Sequence, residues 1–400
     1  MKKTLKRLIF ILCAALVCSA VCSCDGTVTN TSDTVNVSQP DDTGDTRPYL
    51  PVKKKDGSKF KLAYVDNDKF NELFRMLYYL VECLKTDGWI TYDRLPFDPE
   101  TESDTLALMN WLADNAQSEY MEFDRTAHYY TSLSTREEIY ESLKRHIEID
   151  GDIDAILAMG TSPSEMVKSF DFDIPVLMYG VSDPIASGLV VSAEDSGDWR
   201  YWAHVDSSGY SRQMQYYYDT FQFKNIGAVY GDEIVCALPA YRLIAERNGF
   251  KITEYNLVSD SFADDGEYYE ELLGIYRKMI HEDGIDAYIL NTDVIHDADR
   301  AFEIMQIFLD EKIPVFVQEG SVYVKNGSAL LIVDPCDAEG TAPFAANIIG
   351  SVFNGAKPGD LEQEYVSSPY LVFNMDVAEL IDYSPSFDML LTCESIISTR

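Results

Sequence analysis

From Phe60 onward, short β-forming runs alternate with amphipathic helical stretches, and the alternation restarts half-way along the chain. That order points to an α/β fold built on parallel sheets with helices on both faces. Lys61-Leu62-Ala63-Tyr64-Val65 reads as the first strand. Phe70, Leu73, Phe74, Leu77, Val81 and Leu84 then recur at helical spacing and give one apolar face. Ser134 and Glu137 have the spacing of a capping box, opening a helix whose Ile139, Leu143 and Ile147 lie four apart. The run over 154–158 is apolar enough for a strand covered on both faces, and 175–179 follows as the next. In the second half, 226–230 reads as a strand, about 236–248 as a helix, Leu272, Leu273, Tyr276, Met279 and Ile280 as another, and 287–290 as a strand.

The two halves also share words. Ile153-Asp154-Ala155 opens a strand ending at Gly160-Thr161, and Ile174-Pro175-Val176 opens the next. Ile285-Asp286-Ala287 opens a strand ending at Asn291-Thr292, and Ile313-Pro314-Val315 opens its successor. The repeat predicts two similar lobes joined by a hinge, each a parallel sheet flanked by helices, with the strands at about 154–159 and 286–291 in equivalent positions. Lobe 1 is expected over 59–203 and lobe 2 over 204–332. Residues 333–400 would cross back through lobe 1 and end in a strand and helix whose lobe the sequence leaves open. Crossovers are expected near 201–206 and 330–335. Ligands of open α/β sheets bind beyond the carboxyl ends of strands, so the cleft between the lobes is the expected site.

The N-terminus reads as an export signal over 1–23. Lys2, Lys3, Lys6 and Arg7 precede an uncharged apolar run over 8–21, shorter than the ~20 residues that span a bilayer. The run ends in Val21-Cys22-Ser23-Cys24, which resembles a lipobox with Cys24 as the lipidated residue; Cys22 fits the pattern less well. Residues 24–58, rich in Thr, Ser, Asp, Asn and Pro, read as a flexible tether closed by a solvated Lys53-Lys54-Lys55 run. Cys83, Cys236, Cys336 and Cys393 remain, without CxxC spacing. Zinc has no support in them, and buried thiols are expected, with disulfide pairing left open. With 32 basic and 67 acidic residues and a net charge of −35, the chain repels phosphate backbones, which argues against nucleic acid as a partner. The five histidines, His128, His146, His204, His281 and His296, fit neither HExxH nor a GxSxG partner, and no GxGxxG or P-loop is present. No catalytic site, cofactor or metal is indicated.

Several segments carry a family resemblance. Ala158-Met159-Gly160-Thr161-Ser162-Pro163-Ser164 is similar to a strand-to-helix turn, and Val181-Ser182-Asp183-Pro184 through Gly188-Leu189-Val190 to an "SDP…GLV" segment. Residues 314–320, Lys325-Asn326-Gly327-Ser328-Ala329, Asp334, Gly355-Ala356-Lys357-Pro358-Gly359 and 371–378 follow in the same order. Over residues 60–400 the chain resembles the ABC-transporter solute-binding lipoproteins of the tryptophan/tyrosine-uptake type, within the type I periplasmic-binding-protein fold. The resemblance implies a monomeric, non-enzymatic protein, lipid-anchored at the outer face of a bacterial cell membrane. It implies a small polar solute as ligand, an aromatic amino acid among the candidates, and an ABC permease as partner. A sensing module of the same fold and an extracellular hydrolase are the alternative readings.

Residues that follow strand ends are the expected ligand contacts. Gly160, Thr161 and Ser162 offer backbone N–H groups, hydroxyls and a helix dipole to a carboxylate. Ser182 and Asp183 join them from lobe 1, as do Asp66 and Asn67 after the first strand. Lobe 2 would supply Tyr230, Asp232, Asn291, Asp293 and Glu319, with Asp334 near the return crossover. The carboxylates could receive an ammonium group and the aromatic ring could stack on a planar ligand. Trp199 and Trp202 read as hinge packing. No arginine directly follows these strands, so a ligand carboxylate is expected to meet backbone N–H and hydroxyl groups.

Overall fold

The computed structural model describes residues 48–231, 237–291, 294–295, 297–334 and 337–398. The signal, Cys24, the first part of the tether, Asp232, Asp293, Cys236 and Cys336 lie outside these residues.

Lobe 1 holds β1 (Phe60–Asp66), α1 (Asn71–Thr86), α2 (Thr105–Asn115), β2 (Met121–Glu122), β3 (His128–Tyr130), α3 (Arg136–Lys144), β4 (Ala155–Met159), α4 (Thr161–Phe170), β5 (Val176–Tyr179) and β6 (Tyr201–Ala203). Its parallel sheet has the order β2-β1-β4-β5-β6, with β3 also pairing β1. Alternation along each strand divides the core. Leu62 and Tyr64 of β1, Leu157 and Met159 of β4, and Leu177 and Tyr179 of β5 face one cluster. Ala63 and Val65, Ile156 and Ala158, and Val176 and Met178 face the other. This two-faced burial is why the strands read as continuous apolar runs.

The chain then enters lobe 2 with α5 (Gly209–Phe221), β7 (Asn225–Tyr230), α6 (Ala237–Asn248), β8 (Lys251–Asn256), α7 (Asp265–Lys278), β9 (Ala287–Leu290), α8 (Ala298–Asp310), β10 (Val315–Val317), α9 (Val322–Lys325) and β11 (Leu331–Asp334). It returns to lobe 1 for α10 (Ala338–Phe353). There Ala345, Ala346, Ile349 and Phe353 share a core with Leu77, Leu80, Val81 and Leu84 of α1. It ends in lobe 2 with β12 (Tyr370–Asn374), α11 (Met375–Leu380), α12 (Phe387–Leu391) and β13 (Ser395–Ile397). The second sheet has the order β13-β12-β11-β10-β9-β7-β8, and only the β11–β12 pair is antiparallel. β4 lies between β1 and β5, as β9 lies between β7 and β10, so the strands opened by the two Ile-Asp-Ala words hold equivalent positions.

Three passages connect the lobes: after β6, between β11 and α10, and before β12. The first and third are stitched together. Val205 N–H donates to Gln363 O (2.8 Å), Tyr365 N–H to Val205 O (3.0 Å), and the buried Trp202 indole N–H to Glu362 O (2.7 Å). Trp199 is 43% exposed and takes no such part through its ring.

Two sequence expectations need correction. The capping box is Thr135 with Glu138, one residue later than Ser134 with Glu137. Thr135 has the extended backbone of a cap, and its hydroxyl accepts from Glu138 N–H. Both pairs fit the spacing, so the motif alone could not choose. The tether expected to run to Ser58 is docked from Tyr49 onward. The buried Trp89 indole donates to Tyr49 O (2.9 Å), the Asn354 amide donates to Leu50 O (2.9 Å), and Lys54 pairs with Asp154 (2.7 Å). Lys53 meets Glu119 (2.8 Å) at the surface and Lys55 is exposed, so of the lysine run only Lys54 is drawn onto the lobe.

Candidate functional site: a cavity between the lobes

A cavity of about 110 Å³ lies where the carboxyl ends of both sheets meet. The N-terminal end of α1 contributes Phe70, Glu72, Leu73, Arg75 and Met76. Gly180, Val181 and Ser182 follow β5, while His204 and Asp206 follow β6. Across the gap stand Gly209 and Tyr210 at the start of α5, Glu319 after β10, Asp334 at the end of β11 and Ala338 at the start of α10. Gly180 has φ +69°, a backbone conformation that favours glycine in this wall, and a Cβ there would lie 2.5 Å from Leu73 Cδ2, which would have to give way.

The polar side chains form contacts across the lobes. Glu72 Oε1 accepts from Ser321 N–H (2.9 Å), and its Oε2 is enclosed without a hydrogen-bond partner. Burial pushes the Glu72 carboxyl above its usual range, and the nearby Glu319 adds to the shift. Glu319 is pushed up by burial as well, against hydrogen bonds from Tyr210 OH (2.6 Å) and Ser182. Arg75 is only 3% exposed. Its guanidinium lies over the Tyr370 ring, 4.1 Å from the centroid, and Nε is 3.4 Å from Glu100. Burial opposes the Arg75 charge, but Tyr370, Glu100, Asp334 and Glu72 together hold its pKa above the usual value. Glu100 also pairs with Lys325 of lobe 2 at 2.8 Å. His204 Nε2–H donates to the Tyr365 carbonyl oxygen (2.9 Å), and burial lowers its pKa, which favours the neutral ring. Asp206 is held by Arg212 through two bonds of 3.0 and 2.7 Å.

The structure gathers three of the sequence-selected residues, Ser182, Glu319 and Asp334, on this cavity. The others with described positions have different surroundings. Asp66 is wholly buried in lobe 1, accepting from Tyr64 OH (2.9 Å), Thr105 Oγ1 (2.7 Å) and Asn67 N–H (2.6 Å), and burial pushes its pKa up to about 6. Asn67 accepts from Thr131 Oγ1 (2.6 Å) in the β1–β3 loops. Gly160 begins α4 with φ +83°, and a Cβ on it would lie 3.4 Å from Leu73 Cδ1, so Leu73 packs between this turn and the cavity; Thr161 is half-buried and Ser162 exposed. Asp183 caps its own turn, accepting from Ile185 N–H (3.1 Å) and Ala186 N–H (2.9 Å). Tyr230 is engaged by Arg242. Asn291 is buried at the end of β9 with Oδ1 unpartnered and is not part of the cavity wall.

Sequence reasoning missed Glu72, Arg75, Asp206 and Tyr210. Glu72 and Arg75 occupy the polar side of a helix read only for its apolar face. No arginine follows the cleft strands directly, as expected, but Arg75 reaches the cavity from α1 instead.

The family model for ABC transporter substrate binding proteins matches residues 115–384. The chain belongs to the ABC transporter substrate-binding protein family. Its fold is the type I periplasmic-binding-protein fold, with two mostly parallel sheets flanked by helices. Among solved structures, an ABC domain in complex with L-Trp from Streptococcus pneumonia superposes with a TM-score of 0.62 at 16% identity, covering 85% of this chain and 100% of that one. A conserved domain protein from Vibrio cholerae gives 0.61 at 17%, again with 85% and 100% covered. A ligand-free, open substrate binding protein with adhesive properties from Clostridium difficile gives 0.59 at 17%, with the same coverage. No curated protein matches the chain. Substrate-binding proteins of this family are extracytoplasmic and non-enzymatic; they bind small solutes and deliver them to an ABC permease. Among the described residues no helix is long and apolar enough to cross a membrane, and no group of side chains is arranged to hold a metal ion.

Proposed function

We propose that this substrate-binding protein is a monomeric lipoprotein, anchored through Cys24, that captures a small polar solute bearing an amino group in the inter-lobe cavity. The observation that carries the reading is the cavity itself, to which both lobes bring charged side chains at the carboxyl ends of their strands. Aromatic amino acids are the first class to test. The sequence resemblance supports them, as do the Phe70 and Tyr210 rings on the wall and the L-Trp held by the Streptococcus relative. Closure of the lobes over the solute would present both to the permease, in the manner of hinge-closing binding proteins.

Calorimetry with the amino acids, common sugars and nucleosides tests the ligand class. Saturable binding of an amino-bearing solute is expected, and binding confined to sugars or nucleosides would refute the amino group while leaving solute capture intact. For the anchor, Cys24→Ala should abolish lipid labelling and release the protein from the membrane fraction. Unchanged labelling would reject Cys24 as the acceptor.

A further inference from the structure

The charges on the cavity wall are unbalanced. Four carboxylates, Glu72, Asp206, Glu319 and Asp334, line it against one guanidinium, Arg75. Asp206 is neutralised by its two bonds to Arg212. Arg75 is already shared between Glu72, Glu100, Asp334 and the face of Tyr370. Glu72 has only a share of that guanidinium and Glu319 meets no cation on the wall, one carboxylate from each lobe. Their hydrogen bonds come from neutral donors: Ser321 N–H for the first, Tyr210, Ser182 and Gln318 for the second. The two carboxylates line the same cavity, and Glu72 Oε2 is enclosed without a hydrogen-bond partner. An enclosed carboxylate oxygen without a donor is costly, and a cation placed between two such groups removes that cost for both.

We propose that the cavity selects an organic ammonium ion, held between Glu72 and Glu319 with its apolar body against Phe70, Leu73 and Tyr210, and that a carboxylate on the same solute weakens binding. The inference rests on reading this cavity as the solute site and narrows that reading to a charge class. Arg75 is the guanidinium on the cavity wall, so a ligand carboxylate would have to act there. Three anions already surround that guanidinium, so a fourth would enter against their repulsion. The cation would add to the contact that Glu72 already makes across the lobes with Ser321. Its two counter-ions belong to different lobes, so binding it joins them.

The experiment is calorimetry on the mature chain at neutral pH with amines and their parent amino acids: tryptamine against tryptophan, tyramine against tyrosine, phenethylamine against phenylalanine. At least one amine should bind about tenfold or more tightly than its amino acid. Glu72→Gln and Glu319→Gln should each weaken that amine by about 30-fold or more, with thermal unfolding used to verify that each variant folds. The wild-type comparison stands even where a variant does not fold. Tighter binding of the amino acid, abolished by Arg75→Gln, would overturn the inference by showing that the carboxylate is recognised. Binding of a sugar or nucleoside with none of any amine would overturn it too, while leaving solute capture standing. Failure of every class to bind would count against both.

Discussion

Asp66 shows how much a single residue's surroundings outweigh its position. It follows the first strand, where a ligand contact is expected, yet it is spent on a buried network with Tyr64, Thr105 and Tyr130. Because burial raises its pKa from 3.8 to about 6, the folded chain binds this proton more tightly than the unfolded chain does. Stability from this group is therefore greatest on the acid side and falls as pH rises between about 4 and 6. The shift corresponds to about 3 kcal/mol. Glu72 and Glu319, also raised, act in the same direction. Denaturant unfolding of the unliganded protein across pH 4–7 should show the decline, and Asp66→Asn should flatten it. A profile that rises with pH across this window and is unaltered by Asp66→Asn would contradict the assignment.

At the scale of elements, two small features fix large pieces. The α3 cap predicts an asymmetry: Thr135→Ala should cost about 1 kcal/mol, while Ser134→Ala should cost almost nothing. Equal losses in chemical denaturation would mean that the overlapping box at Ser134 shares the role. Gly350, on the face of α10, decides whether the segment at 49–51 can dock, because a Cβ there would collide with the Tyr49 carbonyl oxygen. Gly350→Ala should displace that segment and leave the Trp89 indole without its acceptor, costing about 1–3 kcal/mol. Faster proteolysis ahead of Phe60 should accompany the loss. Unchanged protection there would show that α10 can shift to accommodate the methyl.

For the molecule as a whole, polar contacts outside the hinge also join the lobes. Glu100 of lobe 1 bridges Lys325 of lobe 2 and the buried Arg75. Lys325 and Glu100 are 25% and 40% exposed, so the pair is worth about 0–1 kcal/mol. Lys325→Met should accordingly open the unliganded protein, seen as a larger radius of gyration in small-angle scattering. Its ligand affinity should fall by less than about tenfold. No change in either quantity would remove this pair from the closure equilibrium.

The fold was legible because its signals are local and periodic. Continuous apolar runs buried on both faces, helical stripes such as Phe74, Leu77 and Val81, and the repeated Ile-Asp-Ala words each reflect one element and its immediate cover. The cavity was legible only in part. Ser182 and Glu319 follow strand ends in sequence, Asp334 lies at the return crossover, and all three line it in space, whereas Asp66 and Asp183 were chosen by the strand-end rule and are occupied by their own neighbours. Glu72 and Arg75 carried no warning, because a charged residue opposite an apolar helix stripe ordinarily faces water. Tertiary structure alone brings Ser321, Tyr370 and Asp334 against that polar face. Sequence determined which surfaces must be covered by their own lobe, since hydrophobic burial is written in local spacing. Which charges would be stripped of water together depended on two lobes closing on one helix end, and desolvation by distant segments leaves no periodic trace in the chain.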